Sequence, residues 1–207
     1  RYAVNENKYE VVKLLLEYGA DVDKVDRHNK TSLFDSVDEV NENIVKLLLE
    51  YGADSNHLDN NNESPLKSAI GSYKFSIEII KNLLEYGSDI FNRDDFGITP
   101  IQLTIEIDRD EILELIINYL ENINQQNEEG NTLLHLAVIY ESYNCAKLLL
   151  DRGINKDIKN NNGNTVLHLA AYHKFIDFVL LFNDYQANAN ITNNDGFTPI
   201  YLALLDE

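Results

Sequence analysis

The side chains able to carry chemistry are five histidines, one cysteine and many carboxylates. His135 and His168 come first, since imidazole is the commonest general base and a frequent zinc ligand. Each ends a Thr-x-Leu-His segment, the two lie 33 residues apart, and the same place elsewhere holds Phe34, Lys67 and Gln102. A zinc site needs its ligands at short fixed spacings, and neither this pair nor the scattered His28, His57 and His173 provide them. Cys145 occupies the position of Ile44 and Ile112 on its helix and reads as a buried small hydrophobe, not a nucleophile. The pairs Asp94-Asp95 and Glu128-Glu129 fall in turns, where they are expected to project into solvent without a pocket to shift their pKa. No phosphate-binding loop or nucleophile elbow occurs, so the sequence predicts no enzyme and no cofactor or metal.

The elements behind these positions are copies of one segment, seen best in Gly163-Asn164-Thr165-Val166-Leu167-His168-Leu169-Ala170-Ala171. Its Thr or Ser returns as Thr31, Ser64, Thr99, Thr132, Thr165 and Thr198, at steps of 33, 35, 33, 33 and 33 residues. A second mark keeps the same period: Gly19-Ala20-Asp21-Val22-Asp23, Gly52-Ala53-Asp54-Ser55-Asn56 and later worn copies. Two marks in one register define a stacked repeat. Each unit opens on a turn such as Asp94-Asp95-Phe96-Gly97, which Gly or Asn can close with positive φ. A short helix follows, capped by the Ser or Thr, with Pro65, Pro100 and Pro199 at its first position. After a bend comes a longer amphipathic helix such as Ile44 to Tyr51, ended by a left-handed glycine such as Gly52.

Composition narrows the class further. The formal charge is −18, from 35 acidic against 17 basic residues. Nucleic acid and anionic membrane are disfavoured partners, and a basic or neutral protein is favoured. No run reaches the roughly 18 apolar residues that a membrane span needs, and a single cysteine supports no internal disulfide framework. These features predict an intracellular, cytoplasmic chain.

The Thr-x-Leu-His segments and the Gly-Ala-Asp marks resemble the ankyrin repeat over the whole chain. The resemblance implies an all-α solenoid of about 33-residue units, a single array over 1–207. Its complete units fall at about 24–56, 57–91, 92–124, 125–157 and 158–190, between two partial ones, as in a segment of a longer protein. The first unit then starts inside a helix at Arg1 to Val4, and the last helix stops at Glu207. The resemblance also makes His135 and His168 braces between neighbouring turns. Leu120 and Gln186 replace the helix-ending glycine, so those ends are expected to close differently. Two additional residues near Ser72 to Phe75 should lengthen one bend. Asp35, at the position of Leu103, Leu136 and Leu169, should loosen its unit or solvate that edge.

Related ankyrin proteins bind protein partners with the hairpin tips and the exposed face of the short helices, which line a concave groove. Here that face takes in Phe96, Ile98, Ile107, Ile139, Tyr140 and Tyr172 as an apolar strip, with Asp95, Glu128, Glu129 and Phe197 beside it. The expected function is that of a monomeric, non-catalytic scaffold for a protein partner. The alternative is the targeting arm of a larger protein, such as a ubiquitin-ligase adaptor, a channel or an effector acting in host cytosol. Asn56, in Leu48 through Asp54-Ser55-Asn56, is a candidate for asparaginyl hydroxylation.

Overall fold

The computed structural model describes residues 2–205. Helices come in pairs: α1 (Tyr2–Asn5) with α2 (Tyr9–Glu17), α3 (Ser32–Asp38) with α4 (Glu42–Glu50), and α5 (Pro65–Gly71) with α6 (Ile77–Glu85). Next come α7 (Pro100–Glu106) with α8 (Asp110–Ile116), α9 (Leu133–Ile139) with α10 (Tyr143–Asp151), and α11 (Val166–Tyr172) with α12 (Ile176–Asp184), then α13 (Pro199–Ala203). The last helix thus closes at Ala203, short of the expected end at Glu207. Arg1 and Glu207 lie outside the described residues. Contacts gather into two compact bodies, residues 1–103 and 104–207.

In the N-terminal body α3 packs on α4 and α5, and α4 and α5 both pack on α6. Leu33, Phe34, Ile44, Leu48, Leu66, Ile70, Ile80 and Leu83 make its core. In the C-terminal body α9 packs on α10 and α11, and α11 on α12 and α13. Leu134, Val138, Cys145, Leu149, Ala170 and Phe182 fill that core. Each large aliphatic so buried contributes about 1.5–3 kcal/mol, which no helix of seven or nine residues could gather alone.

Both helix ends in most units use one closure, though α5 ends instead on the extended Ser72. After α9, Glu141 takes φ 58°, its amide bonds Val138 O at 3.2 Å, and Ser142 N bonds Ala137 O at 2.8 Å. After α4, Gly52 takes φ 85° and Ala53 N bonds Leu48 O at 3.0 Å. This six-to-one closure satisfies carbonyls that the helix leaves over. Gln186 does the same at φ 58°, with Ala187 N on Phe182 O at 2.9 Å, so its departure from glycine changes nothing in the closure. Leu120 does differ. There α8 tightens into a 3-10 turn, Ile117–Tyr119, and Leu120 is extended at φ −86°. The bend between α5 and α6 runs from Ser72 to Ser76, two residues longer than the bend from Glu39 to Asn41, and Tyr73 at its crest is fully exposed. Of the two expectations for Asp35 the solvated edge fits: its position is half-buried just as at Leu103, Leu136 and Leu169, so a carboxylate there keeps solvent contact.

The turns are built by their first residue. Asp94 Oδ1 accepts from Phe96 N at 3.0 Å and Ile98 N at 2.8 Å. Asn160 Oδ1 accepts likewise from Asn162 N at 3.1 Å and Asn164 N at 3.0 Å. Asp or Asn is required because only a short side chain with an acceptor reaches the amides two and four residues on. Neighbouring turns are laced together within each body. In the N-terminal body Asn60 N donates to His28 O at 3.1 Å and Asp95 N to Asn61 O at 3.1 Å. In the C-terminal body Asn161 N donates to Glu129 O at 3.0 Å and its Nδ2 to Glu128 O at 2.8 Å.

Among the described residues the Thr31 hydroxyl is a buried cap with no hydrogen-bond partner: no histidine reaches it, Phe34 standing in that slot, and it takes no amide as Ser64 does from Lys67 N at 3.2 Å. Thr132 Oγ1, in contrast, meets His135 Nδ1 at 2.9 Å. Thr31→Val is therefore expected to be neutral or slightly stabilising, while Thr132→Val costs about 1–2 kcal/mol. Urea melts of the two variants check this; equal losses would show that the Thr31 hydroxyl has a partner in solution.

Candidate functional site

The two histidines are braces. His135 Nδ1 lies 3.2 Å from Thr132 N, and its Nε2 lies 3.0 Å from Asn164 O in the following turn. His168 repeats this with Thr165 N at 3.2 Å and Phe197 O at 3.0 Å. The amide donates to Nδ1, which leaves Nε2–H to donate to the carbonyl. Burial pushes both pKa values below the usual histidine range. In the same slot of the N-terminal body, Lys67 pairs with Asp94. Both side chains are nearly buried, at 8% and 9% exposure. Burial alone would raise the Asp94 pKa, but the Lys67 hydrogen bond and charge, with the turn amides, bring it below the usual carboxylate value. Asp94 therefore departs from the solvent-exposed placement expected of it, since the first turn position faces inward to the slot of Lys67.

Cys145 is buried among the core side chains, and burial followed by the nearby Asp108 carboxylate pushes its thiol pKa up. The thiol is unsuited to nucleophilic work. Asp108 serves instead to cap α10 from the α7–α8 bend of the preceding repeat, its Oδ1 accepting from Cys145 N at 2.9 Å and its Oδ2 from Asn144 Nδ2 at 2.9 Å. Among the described residues no group of histidine, cysteine and carboxylate is arranged to hold a metal ion, and no helix is long and apolar enough to cross a membrane.

The surface residues named from sequence divide between the bodies. In the N-terminal body Phe96 is 85% exposed at its tip, Ile98 is half-buried, and the exposed Asp95 accepts from Asn62 Nδ2 at 2.7 Å. In the C-terminal body Ile107, Ile139 and Tyr172 are exposed, Tyr140 is half-buried, and Glu128 and Glu129 are exposed at one tip. Phe197 is half-buried and stacks on Tyr201 with ring centres 4.2 Å apart. Asn56 is exposed, but its amide is engaged: Nδ2 donates to Gly87 O at 2.9 Å and Oδ1 accepts from Asp89 N at 2.7 Å. Sequence reasoning missed the Lys67–Asp94 pair, and it missed the apolar outer flank of α12, where Leu180 replaces the charge carried by Lys46, Lys81 and Lys147. That second signal was readable in the repeat register.

Paired helices in fixed register, braced turns and projecting tips define a stacked helical-repeat protein with a surface built for contact. The chain belongs to the ankyrin-repeat family: a profile for three copies of the repeat matches residues 1–94 and 71–160, and a single-repeat profile matches 162–194. The ankyrin repeat domain of Bcl-3, described as a unique member of the IkappaB protein family, is similar in fold, with TM-score 0.83 and 23% identity over 98% of this chain and 92% of that one. The human ASB11 ankyrin repeat domain has TM-score 0.73 and 27% identity over 98% of this chain and 90% of that one. Among curated proteins no sequence matches this chain. Ankyrin-repeat domains generally mediate protein–protein interaction and are typically non-catalytic.

Proposed function

We propose that this chain is a monomeric, cytoplasmic, non-catalytic scaffold that docks a basic or neutral protein partner through its hairpin tips and the exposed ends of its short helices. The observation that carries the reading is the exposure of large apolar side chains at these places: Phe96 at 85% on a hairpin tip of one body, and Ile139 at 46% and Tyr172 at 51% at the ends of two short helices of the other. Exposed aromatics on a rigid backbone are the side chains from which interface hot spots are made. The turn backbone under Phe96 is fixed by Asp94, so little order has to be gained on binding. The charge of −18 repels anionic surfaces and draws in basic ones.

The test is affinity capture from cell lysate with the native chain and with a Phe96→Ala, Tyr140→Ala, Tyr172→Ala variant that keeps its helical melt. A bound protein should be retained about tenfold less by the variant, the effect expected of losing hot-spot side chains. Equal retention by both overturns the reading.

A further inference from the structure

The second helices of the repeats carry a charged residue at one place on their outer flank, except in α12. The repeat register aligns Lys13, Lys46, Lys81, Glu114 and Lys147 with Leu180, and Tyr9, Glu42, Ile77, Asp110 and Tyr143 with Ile176. Leu180 is 57% exposed and Ile176 71% exposed, one helical turn apart on a single flank. Lys46 stays exposed although α2 and α6 pack on either side of α4, so the place that Leu180 takes remains open where repeats flank the helix.

These two side chains border a groove of about 450 Å³ between α10 and α12, floored by Tyr143, Phe175 and Phe178. The floor is already ordered. The Tyr143 ring stands edge-on to Phe178 with centres 5.8 Å apart, and Phe175 lies 6.0 Å from Phe178 with His173 stacked on its other side at 5.3 Å. The charged residues lining the groove are Glu141 and Asp177, both carboxylates and both exposed. A channel between two helices, apolar below and acidic at its rim, matches the shape and charge of an amphipathic helix with basic flanks. It offers no strand edge for an extended peptide and no cation for a phosphate.

We propose that this groove docks a lysine- or arginine-flanked amphipathic helix of a protein partner. The partner's apolar residues, three or four apart, seat against Tyr143, Ile176 and Leu180, and its basic residues meet Glu141 and Asp177. This face belongs to the second helices, so it is separate from the hairpin tips.

The probe is a short fluorescent leucine–lysine peptide of helical amphipathic pattern, titrated into the full chain by anisotropy beside its leucine–glutamate counterpart. The comparison protein carries Ile176→Gln and Leu180→Gln. Every sister repeat holds a charged residue in place of Leu180, and two hold Glu42 or Asp110 in place of Ile176, so the variant should keep its melt while its charge stays the same. The leucine–lysine peptide should bind the native chain and bind the variant about tenfold or more weakly, and a Phe96→Ala variant, altered only at a hairpin tip, should bind it as the native chain does. Equal binding to native chain and groove variant would show that general acidity holds the peptide, and would overturn the proposal. So would equal binding of the glutamate peptide, or self-association of the native chain that the groove variant abolishes, which would make a second copy the occupant.

Discussion

Gly163→Ala should destabilise the chain by about 2–5 kcal/mol, combining the left-handed backbone penalty of an L-residue with overpacking against fixed backbone. Gly163 sits at φ 76° at the end of the Asn160–Asn164 turn, and a Cβ built on it would lie 2.5 Å from the backbone nitrogen of Asn194. That nitrogen is not movable without loss. It donates to Asn162 O at 3.2 Å, and beside it Asn194 Nδ2 donates to Asn161 O at 2.8 Å and Asn193 Nδ2 to Asn164 Oδ1 at 3.0 Å. Pushing the turns apart breaks this lacing and draws Phe197 O away from His168. Gly196 is the internal control: it has φ 80° in the same turn position, yet nothing lies within 4 Å of its Cβ direction. Gly196→Ala should cost only the backbone term, about 1–2 kcal/mol. Urea melts of the two variants separate close approach from conformation, and a Gly163→Ala loss no larger than that of Gly196→Ala would show that the turns are not packed this closely.

Much of this was legible because the repeat imposes one environment on many positions. Thr, Pro and Gly at fixed phase determined the caps, the first helical turn and the left-handed ends, and the two additional residues before Ser76 could only enlarge a bend. Register says which face a side chain occupies and says less about depth. Leu103, Leu136 and Leu169 look like core residues in sequence, but all three are half-buried, and Asp35 in the same place keeps contact with solvent. Phe96 and Ile98 are two residues apart in one turn, yet Phe96 projects from its tip and Ile98 is half-buried. The Lys67–Asp94 pair was hidden for a related reason. It joins two slots 27 residues apart, and a lysine substituting for a bracing histidine gives no sign that it will reach past the backbone carbonyl to the carboxylate that builds the turn.

The second large effect is at His168, where truncation to alanine should cost about 2–4 kcal/mol at pH 8, because it leaves the buried Thr165 amide without its acceptor and removes the brace to Phe197 O. The same residue predicts the response to pH. In the fold Nδ1 accepts from Thr165 N and Nε2–H donates to Phe197 O, so a second proton has to enter on Nδ1, facing an amide donor. His135 presents the same obstacle at Thr132 N. Both folded pKa values are depressed by burial, whereas the unfolded chain titrates near the ordinary value of about 6.5. Between those values the unfolded state binds more protons than the folded one, so stability rises with pH there. The contribution is complete above about pH 6.5, declines as pH falls through the window down to the folded pKa values, and is constant below them. Asp94, also depressed in the fold, adds a loss in the same direction at lower pH, beneath the ordinary aspartate value of about 3.9. Urea midpoints measured from pH 8 to pH 5 should fall for the native chain. A His135→Gln, His168→Gln variant should start lower and lose this part of the slope. If the variant keeps the full slope over that range, the acid sensitivity arises elsewhere and the two histidines are not held neutral in the fold.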